Sequence, residues 1–413
     1  MKGIFIILDG VSDTPIPFLN NQTPLEAANT PNLDQIARLG KIDYCHTVKE
    51  NIAPQSSNAV VSLLGYDPMF APRGPLEAMG AGIKLTRGDL ALRTNFATLQ
   101  DLTTLTILDR RAGRTLTTKE AKYLSKAINQ DIKLPYKFEF HPTIQHRGVL
   151  ILRGGFSDNI TNIDPAYGAG LAKAQTKPKI KFSHPIDDED DSKLSSELLN
   201  NFVRQSFKIL DSHPINISRA KKGLYKANVL LCRDPGNFPI KFKRLKGRWM
   251  ALGYMPLEIG IAKAAGMETY KFWYPKLKGA DVYTNLYIGL KYAVKYSLKM
   301  IKKYKNKYDY FYIHLKETDV PGHDNLPKEK IKMIEYIDNY FFYYLKKIIN
   351  PNIKLIVTAD HTTSCQKKVH TADPVPVLTY PNKPRFPNQR FTETDAIKGR
   401  KILGRNLLKE NFF

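Results

Sequence analysis

The chain has 413 residues, 42% hydrophobic and 25% charged, which is enough to bury a sizeable core in two or three domains. No apolar run approaches the roughly 18 residues of a membrane span. The run after Met1 is stopped by Asp9 with no small-residue cleavage site behind it, so a cytoplasmic location is expected. The cysteines Cys45, Cys232 and Cys365 are odd in number, far apart and form no Cys-x-x-Cys pair, which argues against a disulfide framework or structural zinc. The net charge of +24 admits an anionic partner. No zinc-finger spacing, Gly-rich RNA motif or basic heptad accompanies it, and much of the excess sits in stretches such as Lys299, Lys302, Lys303, Lys305 and Lys307 that read as solvated faces. A specific nucleic-acid partner is not expected. A small polyanionic substrate would be attracted by the same field.

In chain order, Gly3 to Leu8 is a continuous apolar run and predicts a buried strand of a parallel sheet, with Asp9 and Gly10 at its C-terminal end. Asn32 to Leu39 predicts a short helix started by Thr30-Pro31. Ser56 and Ser57, after Ala53-Pro54-Gln55, stand at the N-terminus of a further apolar helical stretch, and either serine could cap it. Strand-like pieces follow at Leu90 to Thr98, Thr104 to Leu108 and Arg147 to Leu152, punctuated by basic turns. Residues 71–185 therefore read as an inserted α+β domain, between core segments 1–70 and 186–413. The acidic run Ile186 to Asp191 looks like a linker or a helix N-terminus. Helices are predicted over Thr284 to Lys303 and Lys328 to Ile349, and strands over Tyr310 to Leu315 and Lys354 to Thr358. Strands alternating with helices argue an α/β layered core.

Three acidic residues follow three of those strands, and open sheets place ligands at such ends. Asp9 follows the first, Asp319 and His323 the second, Asp360 and His361 the third, with His370 nine residues on. All six are expected on loops. Any one of these elements alone is an ordinary surface pair. Together, carboxylates and imidazoles at strand ends suit Mn²⁺, Zn²⁺ or a similar divalent ion and suffice for two ions. A serine at a helix N-terminus beside such ions could attack phosphorus.

Several motifs occurring in order resemble those of the archaeal-type 2,3-bisphosphoglycerate-independent phosphoglycerate mutases, of the alkaline-phosphatase superfamily. They are Asp9-Gly10, Thr23 to Ala28, Leu64 to Pro68, Arg73 to Gly82, Arg93 to Thr98, Asp109 to Arg114, His314 to His323, Thr358 to Thr363 and His370 to Pro376. The resemblance implies an α/β, alkaline-phosphatase-like three-layer core with a mostly parallel sheet and an inserted substrate domain. It implies that Asp9, Ser56, Asp360 and His361 hold one metal, and Asp319, His323 and His370 the other, the ions being Mn, Zn, Co or Mg. Ser56 would carry the phosphoryl group, counting back from Leu64 to Pro68. Arg93, Arg110, Arg111, Arg114, His146 and Arg147 would grip the glycerate. No 2,3-bisphosphoglycerate is required, and a homo-oligomer is compatible.

The chain departs from the family at Gln55, at Ser57-Asn58-Ala59-Val60, at Ile259, where a lysine is usual, and at Lys278-Gly279-Ala280-Asp281. The metal set is thus whole and the phosphate surroundings are changed. The expected reaction interconverts 3-phosphoglycerate and 2-phosphoglycerate through a phosphoserine. The alternatives are a metal-dependent phosphomonoesterase on the same fold, or a catalytically weakened relative that binds a partner or RNA through its basic surface. A sulfatase-like hydrolase would need a Cys/Ser-x-Pro-x-Arg setting, which is absent around Ser56.

Overall fold

The computed structural model describes residues 1–165, 178–271 and 282–413. The departure at Lys278 to Asp281 lies outside the described residues. Among those described, the strands in chain order are β1 (Gly3–Leu8), β2 (Lys41–His46), β3 (Leu90–Leu99), β4 (Ile107–Asp109), β5 (Phe138–Pro142), β6 (Arg147–Leu152), β7 (Val229–Gly236) and β8 (Trp249–Gly253). They continue with β9 (Glu268–Lys271), β10 (Tyr310–Leu315), β11 (Lys354–Thr358), β12 (Thr362–Ser364), β13 (Val369–Thr371), β14 (Val375–Tyr380) and β15 (Lys401–Leu403).

The larger sheet has the order β15-β2-β14-β11-β1-β10-β8-β9. Only β14 runs against its neighbours; the pairs β11–β1, β1–β10, β10–β8 and β8–β9 are all parallel. Every residue of β1 and of β10 is buried. Successive side chains point to opposite faces, so both faces of the sheet are covered. This is why these strands read as unbroken apolar runs rather than as alternating ones. The helices Ser56–Leu63, Pro256–Ala264, Val282–Tyr304 and Pro327–Ile337 contribute to that core.

A second, antiparallel sheet has the order β4-β3-β6-β5, with β7 paired to the other edge of β3. It packs its own apolar cluster, including Phe96, Leu124, Phe140 and Leu150. The expected insertion ended at 185, but this second core also takes in Leu198, Leu199, Phe202 and Val203 of the helix Asp190–Asp211, and β7 beyond it. The acidic run is therefore a helix entrance: Glu189 is the N-cap, and Asp190 and Asp191 favour the positive end of the helix dipole. The strand-like piece expected at Thr104 to Leu108 is the three-residue β4.

The helix expected to run unbroken from Lys328 to Ile349 is interrupted. It spans Pro327–Ile337, widens to a π turn at Asp338–Phe342, and resumes for Tyr343–Leu345. The wide turn has a use. The buried Asp338 carboxylate accepts from the backbone N–H groups of Leu33 at 2.7 Å and Asn32 at 3.2 Å, and from Asn32 Nδ2 at 2.7 Å. It thereby satisfies the start of the helix Pro31–Ala37, for which Thr30 makes no side-chain cap bond.

The two cores are joined by the helix Arg73–Ala81, which crosses Pro256–Ala264 at a pair of glycines. A Cβ on Gly80 would lie 1.7 Å from the Pro256 carbonyl oxygen, and one on Gly260 would lie 1.8 Å from that of Leu76. Backbone meets backbone there, and no side chain can yield. Gly80→Ala is expected to destabilise the protein by about 1–3 kcal/mol or more, read as a lowered urea midpoint with unchanged m-value. An unchanged midpoint would show that the crossing has room to open.

Candidate functional site

The parallel triplet β11-β1-β10 aligns Ile7 with both His314 and Thr358. Chain that leaves these three strands at the same edge must converge, and Asp9, Asp360 and Asp319 meet there. Asp9 is fixed by its N–H to the Leu315 carbonyl and by Thr318 Oγ1, which donates to the Asp9 carbonyl at 2.5 Å. Asp360 is fixed through one oxygen only: Gly10 N–H and His361 N–H both donate to Oδ1 at 3.1 Å. Its other oxygen, Oδ2, is buried without a hydrogen-bond donor, as is Oδ1 of Asp9, whereas Oδ2 of Asp9 meets the Lys316 ammonium. Gly10 has φ +54°, and a Cβ there would stand 2.5 Å from Thr363 Oγ1 and 2.8 Å from Asp319 Oδ1. Only glycine lets the backbone pass this close to the carboxylates.

His361 Nε2 lies 3.2 Å from Asp9 Oδ1, 3.3 Å from Asp360 Oδ2 and 3.1 Å from Ser56 Oγ. Its Nδ1 is 3.0 Å from Thr363 Oγ1, and Thr363 Oγ1 donates to Asp319 Oδ1 at 2.8 Å. The threonine proton being committed, His361 Nδ1 must donate, and the Nε2 lone pair faces the carboxylates. In a second cluster His323 Nε2 is 3.4 Å from Asp319 Oδ2, and His370 Nε2 is 3.6 Å from Asp319 Oδ1. Their Nδ1 atoms lie 2.9 Å from the Lys368 carbonyl and 2.8 Å from the Pro54 carbonyl, so each donates there and presents Nε2 inward. A backbone tether on the far ring nitrogen is how metal-binding histidines are oriented. The rings of His361 and His370 stack at 3.6 Å, bringing the clusters side by side.

These six residues were expected on loops. Asp319 and His323 in fact lie one turn apart on the short helix Asp319–Asp324, and His370 lies in β13 of the β12–β13 hairpin. The change matters, because both elements are stiffer than loops.

Burial opposes charge on Asp319, but His323, His370 and His361 around it hold its carboxyl well below the usual range. Burial likewise opposes charge on Asp360, and His361, His314 and Lys316 outweigh it. Burial pushes His361 down, against the pull of Asp360 and Asp319. Unpaired buried carboxylate oxygens facing imidazole lone pairs are a donor set for cations, since neither group can satisfy the other. The residues present therefore fit divalent ions.

Ser56 and Ser57 are the first two residues of the helix Ser56–Leu63, and Gln55, not a serine, occupies the capping position. The two serines separate in space. Ser56 Oγ reaches His361, whereas Ser57 is buried and bonds Asn58 Oδ1 at 3.3 Å. Of the other departures, Asn58 Nδ2 donates to the Pro68 carbonyl at 2.7 Å, and Val60 and Ile259 are core residues.

The basic turn Asp109 to Arg114 is shaped by Asp109 Oδ1, which accepts from Arg111 N–H at 2.7 Å and Gly113 N–H at 2.8 Å. Ala112 and Arg114 hold φ of +47° and +57°, conformations that side chains rarely adopt. The buried Arg219 clamps the turn through the carbonyls of Ala112 and Thr115. Arg111, Arg114, His146 and Arg147 line one cleft with Lys316 and Asp319. Burial pushes His146 well below its usual range, and the surrounding arginines push it further, so its ring is neutral. Arg93 and Arg110 stand outside that lining. Arg93 Nε pairs with buried Glu77 at 3.0 Å, and Arg110 grips buried Asp164 with two bonds of 3.1 and 2.6 Å.

Sequence reasoning passed over His314, Lys316 and Glu258. His314 Nε2 is 3.5 Å from Asp9 Oδ2, and Lys316 Nζ contacts Asp9 and lies 3.0 Å from Glu258 Oε1. The signal was present at two of them: along β10 the period of two places Tyr312, His314 and the following Lys316 on one face, polar amid apolar. Nothing local marked Glu258.

The sequence profile described as 2,3-bisphosphoglycerate-independent phosphoglycerate mutase matches residues 37–216. The chain is 36% identical over 424 aligned residues to the protein of that name from Aeropyrum pernix, covering 97% of this chain and 95% of the relative. It is 37% identical over 405 residues to the one from Pyrococcus horikoshii, covering 96% and 92%. Among solved structures it resembles the PH0037 protein of P. horikoshii (TM-score 0.74, 29% identity, 99% and 96% covered). It also resembles the cofactor-independent phosphoglycerate mutase of Thermoplasma acidophilum (TM-score 0.57, 28% identity, 99% and 98% covered). The mixed α/β architecture with a mostly parallel main sheet is thus found in a chain whose fold resembles both of these structures over nearly its whole length. With relatives this similar over nearly their whole length, the chain belongs to the 2,3-bisphosphoglycerate-independent phosphoglycerate mutases.

Proposed function

We infer that this chain interconverts 3-phosphoglycerate and 2-phosphoglycerate in the cytoplasm, passing the phosphoryl group through Ser56 with no need for 2,3-bisphosphoglycerate. The observation that carries the reading is the position of Ser56 Oγ, at the mouth of a helix and 3.1 Å from the imidazole that adjoins Asp9 and Asp360. Asp9, Ser56, Asp360 and His361 would hold one divalent ion, and Asp319, His323 and His370 a second. Bound there as Mn, Zn, Co or Mg, the ions supply positive charge to the phosphoryl oxygens and ease ionisation of the serine hydroxyl.

Ser56 attacks phosphorus; the bond to the substrate's C3 oxygen breaks, and the serine proton ends, in net terms, on the released hydroxyl. The 2-hydroxyl of the retained glycerate then attacks the phosphoserine and regenerates Ser56. Retention between the steps falls to Arg111, Arg114 and Arg147, whose planar forks match carboxylate and phosphate. Neutral His146 offers a hydrogen bond without adding charge. Arg93 and Arg110, occupied by Glu77 and Asp164, act by positioning the sheet and the basic turn. The substrate-holding unit is the second sheet with its helices, Leu90 to Gly236. It must exclude water, since hydrolysis of the phosphoserine would turn a mutase into a phosphatase.

Exhaustive chelation is expected to abolish isomerisation and lower the melting temperature, and Mn²⁺, Co²⁺ or Zn²⁺ to restore both. Full activity with metal shown absent by elemental analysis would sink the two-ion reading. Ser56→Ala should lower kcat by about three orders of magnitude or more, while Ser57→Ala should stay within a few-fold, because Ser57 faces Asn58. Phosphate found on Ser57 by mass spectrometry of trapped enzyme would reverse the assignment. Arg111→Met should raise KM about 10-fold or more, as expected for loss of a charge-assisted bond, and raise the share of phosphate released to water. An unaltered ratio of isomerisation to hydrolysis would remove Arg111 from the grip on glycerate.

A further inference from the structure

His314 is a buried imidazole that the mechanism above leaves without a task. It lies on β10, is 2% exposed, and its Nε2 has no hydrogen-bond partner. That nitrogen points at the two carboxylates of the first cluster, 3.5 Å from Asp9 Oδ2 and 3.9 Å from Asp360 Oδ2. Both separations are too long for a good N–H···O bond. They are right for something else. Two ligands bound to one ion at about 2.1 Å each can be at most about 4.2 Å apart. The His314 contacts fall under that limit, as do those from His361 Nε2 to Asp9 at 3.2 Å, to Asp360 at 3.3 Å and to Ser56 Oγ at 3.1 Å. The other ring nitrogen, Nδ1, is held 2.9 Å from the Tyr312 hydroxyl, a tether of the kind His323 and His370 make to backbone carbonyls. The local charge is also consistent. Lys316 neutralises one of the three buried carboxylates Asp9, Asp360 and Glu258, leaving about two negative charges for one divalent ion.

We propose that His314 is a ligand of the first divalent ion, through Nε2, alongside Asp9, Asp360, His361 and Ser56, with Tyr312 as the residue that orients it. This rests on the two-ion reading and deepens it. The first site then differs from the second: its carboxylates and imidazoles are all buried, with only Ser56 partly exposed, whereas Asp319, His323 and His370 are each about a fifth to a quarter exposed.

The test uses the full chain loaded with Co²⁺ and proton NMR, in which each ligating imidazole gives one strongly shifted, exchangeable ring N–H signal. Four such signals are expected, from His314, His323, His361 and His370. His314→Asn should remove one and weaken Co²⁺ binding at one of the two sites by more than about 100-fold, measured by chelator competition. Tyr312→Phe should keep all four, shift one, and weaken the same site by about 10–100-fold, as loss of an orienting partner does. His314→Gln serves as a second variant if the asparagine variant fails to fold by circular dichroism. Three signals in the native protein, or four that persist in both His314 variants, would overturn the proposal and leave the two-ion reading standing. Co²⁺ bound nowhere, with no shifted signals, would overturn both.

Discussion

Mutual repulsion among buried carboxylates is the constraint around which the rest of the structure is arranged. Asp9 and Asp360 present ligand atoms within 4.8 Å of each other in a dry setting. Two such charges repel by about 3 kcal/mol or more at an effective dielectric of 20, beyond the cost of burying each. The fold offsets this with local donors: Gly10 N–H and His361 N–H on one oxygen of Asp360, and Lys316 against Asp9 and Glu258. It leaves the inward oxygens unmet, and that residual negative charge is what a cation site requires.

The next layer keeps those groups still. Nδ1 of each imidazole is occupied: Thr363 takes His361, the Pro54 carbonyl takes His370, the Lys368 carbonyl takes His323. Pro54 lies two residues before Ser56, so one hydrogen bond ties the loop that leads into Ser56 to the second cluster. Further out, the buried Lys330 ammonium donates to the Ser12 and Thr363 carbonyls and to Asp13, stitching the chain after β1 to the hairpin after β11. The site is therefore ordered by a network of hydrogen bonds around its carboxylates and imidazoles.

The second core is coupled to this edge at two kinds of contact. One is the glycine crossing of Gly80 and Gly260, which fixes spacing through backbone alone. The other is polar: Arg114 donates to Asp324 at 2.6 Å, and Tyr283 to the same oxygen at 2.8 Å. Asp324 ends the helix that carries Asp319 and His323, so the basic turn and the second cluster are linked through a single carboxylate. On the proposed reaction, which holds glycerate while its phosphate sits on a serine, that coupling would help keep water from the space between the arginines and the second cluster.

The sequence by itself determined the elements whose signals are local. The apolar runs of β1, β10 and β11 were legible to the residue, because strands buried on both faces are apolar almost throughout, and the acidic residues after them marked the ligand edge. The ordered motifs marked the family, the serine and the arginine-bearing turn. Tertiary structure alone decided what depends on partners far along the chain. Ser56 and Ser57 are equivalent as neighbours at a helix start; only the approach of His361, 305 residues on, tells them apart. Arg93 and Arg110 resemble Arg111 and Arg114 in charge, but the fold turns them to buried Glu77 and Asp164, outside the cleft that Arg111 and Arg114 line. β7 joins the second sheet because it pairs with β3 across more than a hundred residues, a match that neither strand announces. At the break, Asp338 reaches a helix start near residue 31. In each case the deciding term is a hydrogen bond or ion pair whose partner is set by the path of the chain, and local sequence carries no record of that path.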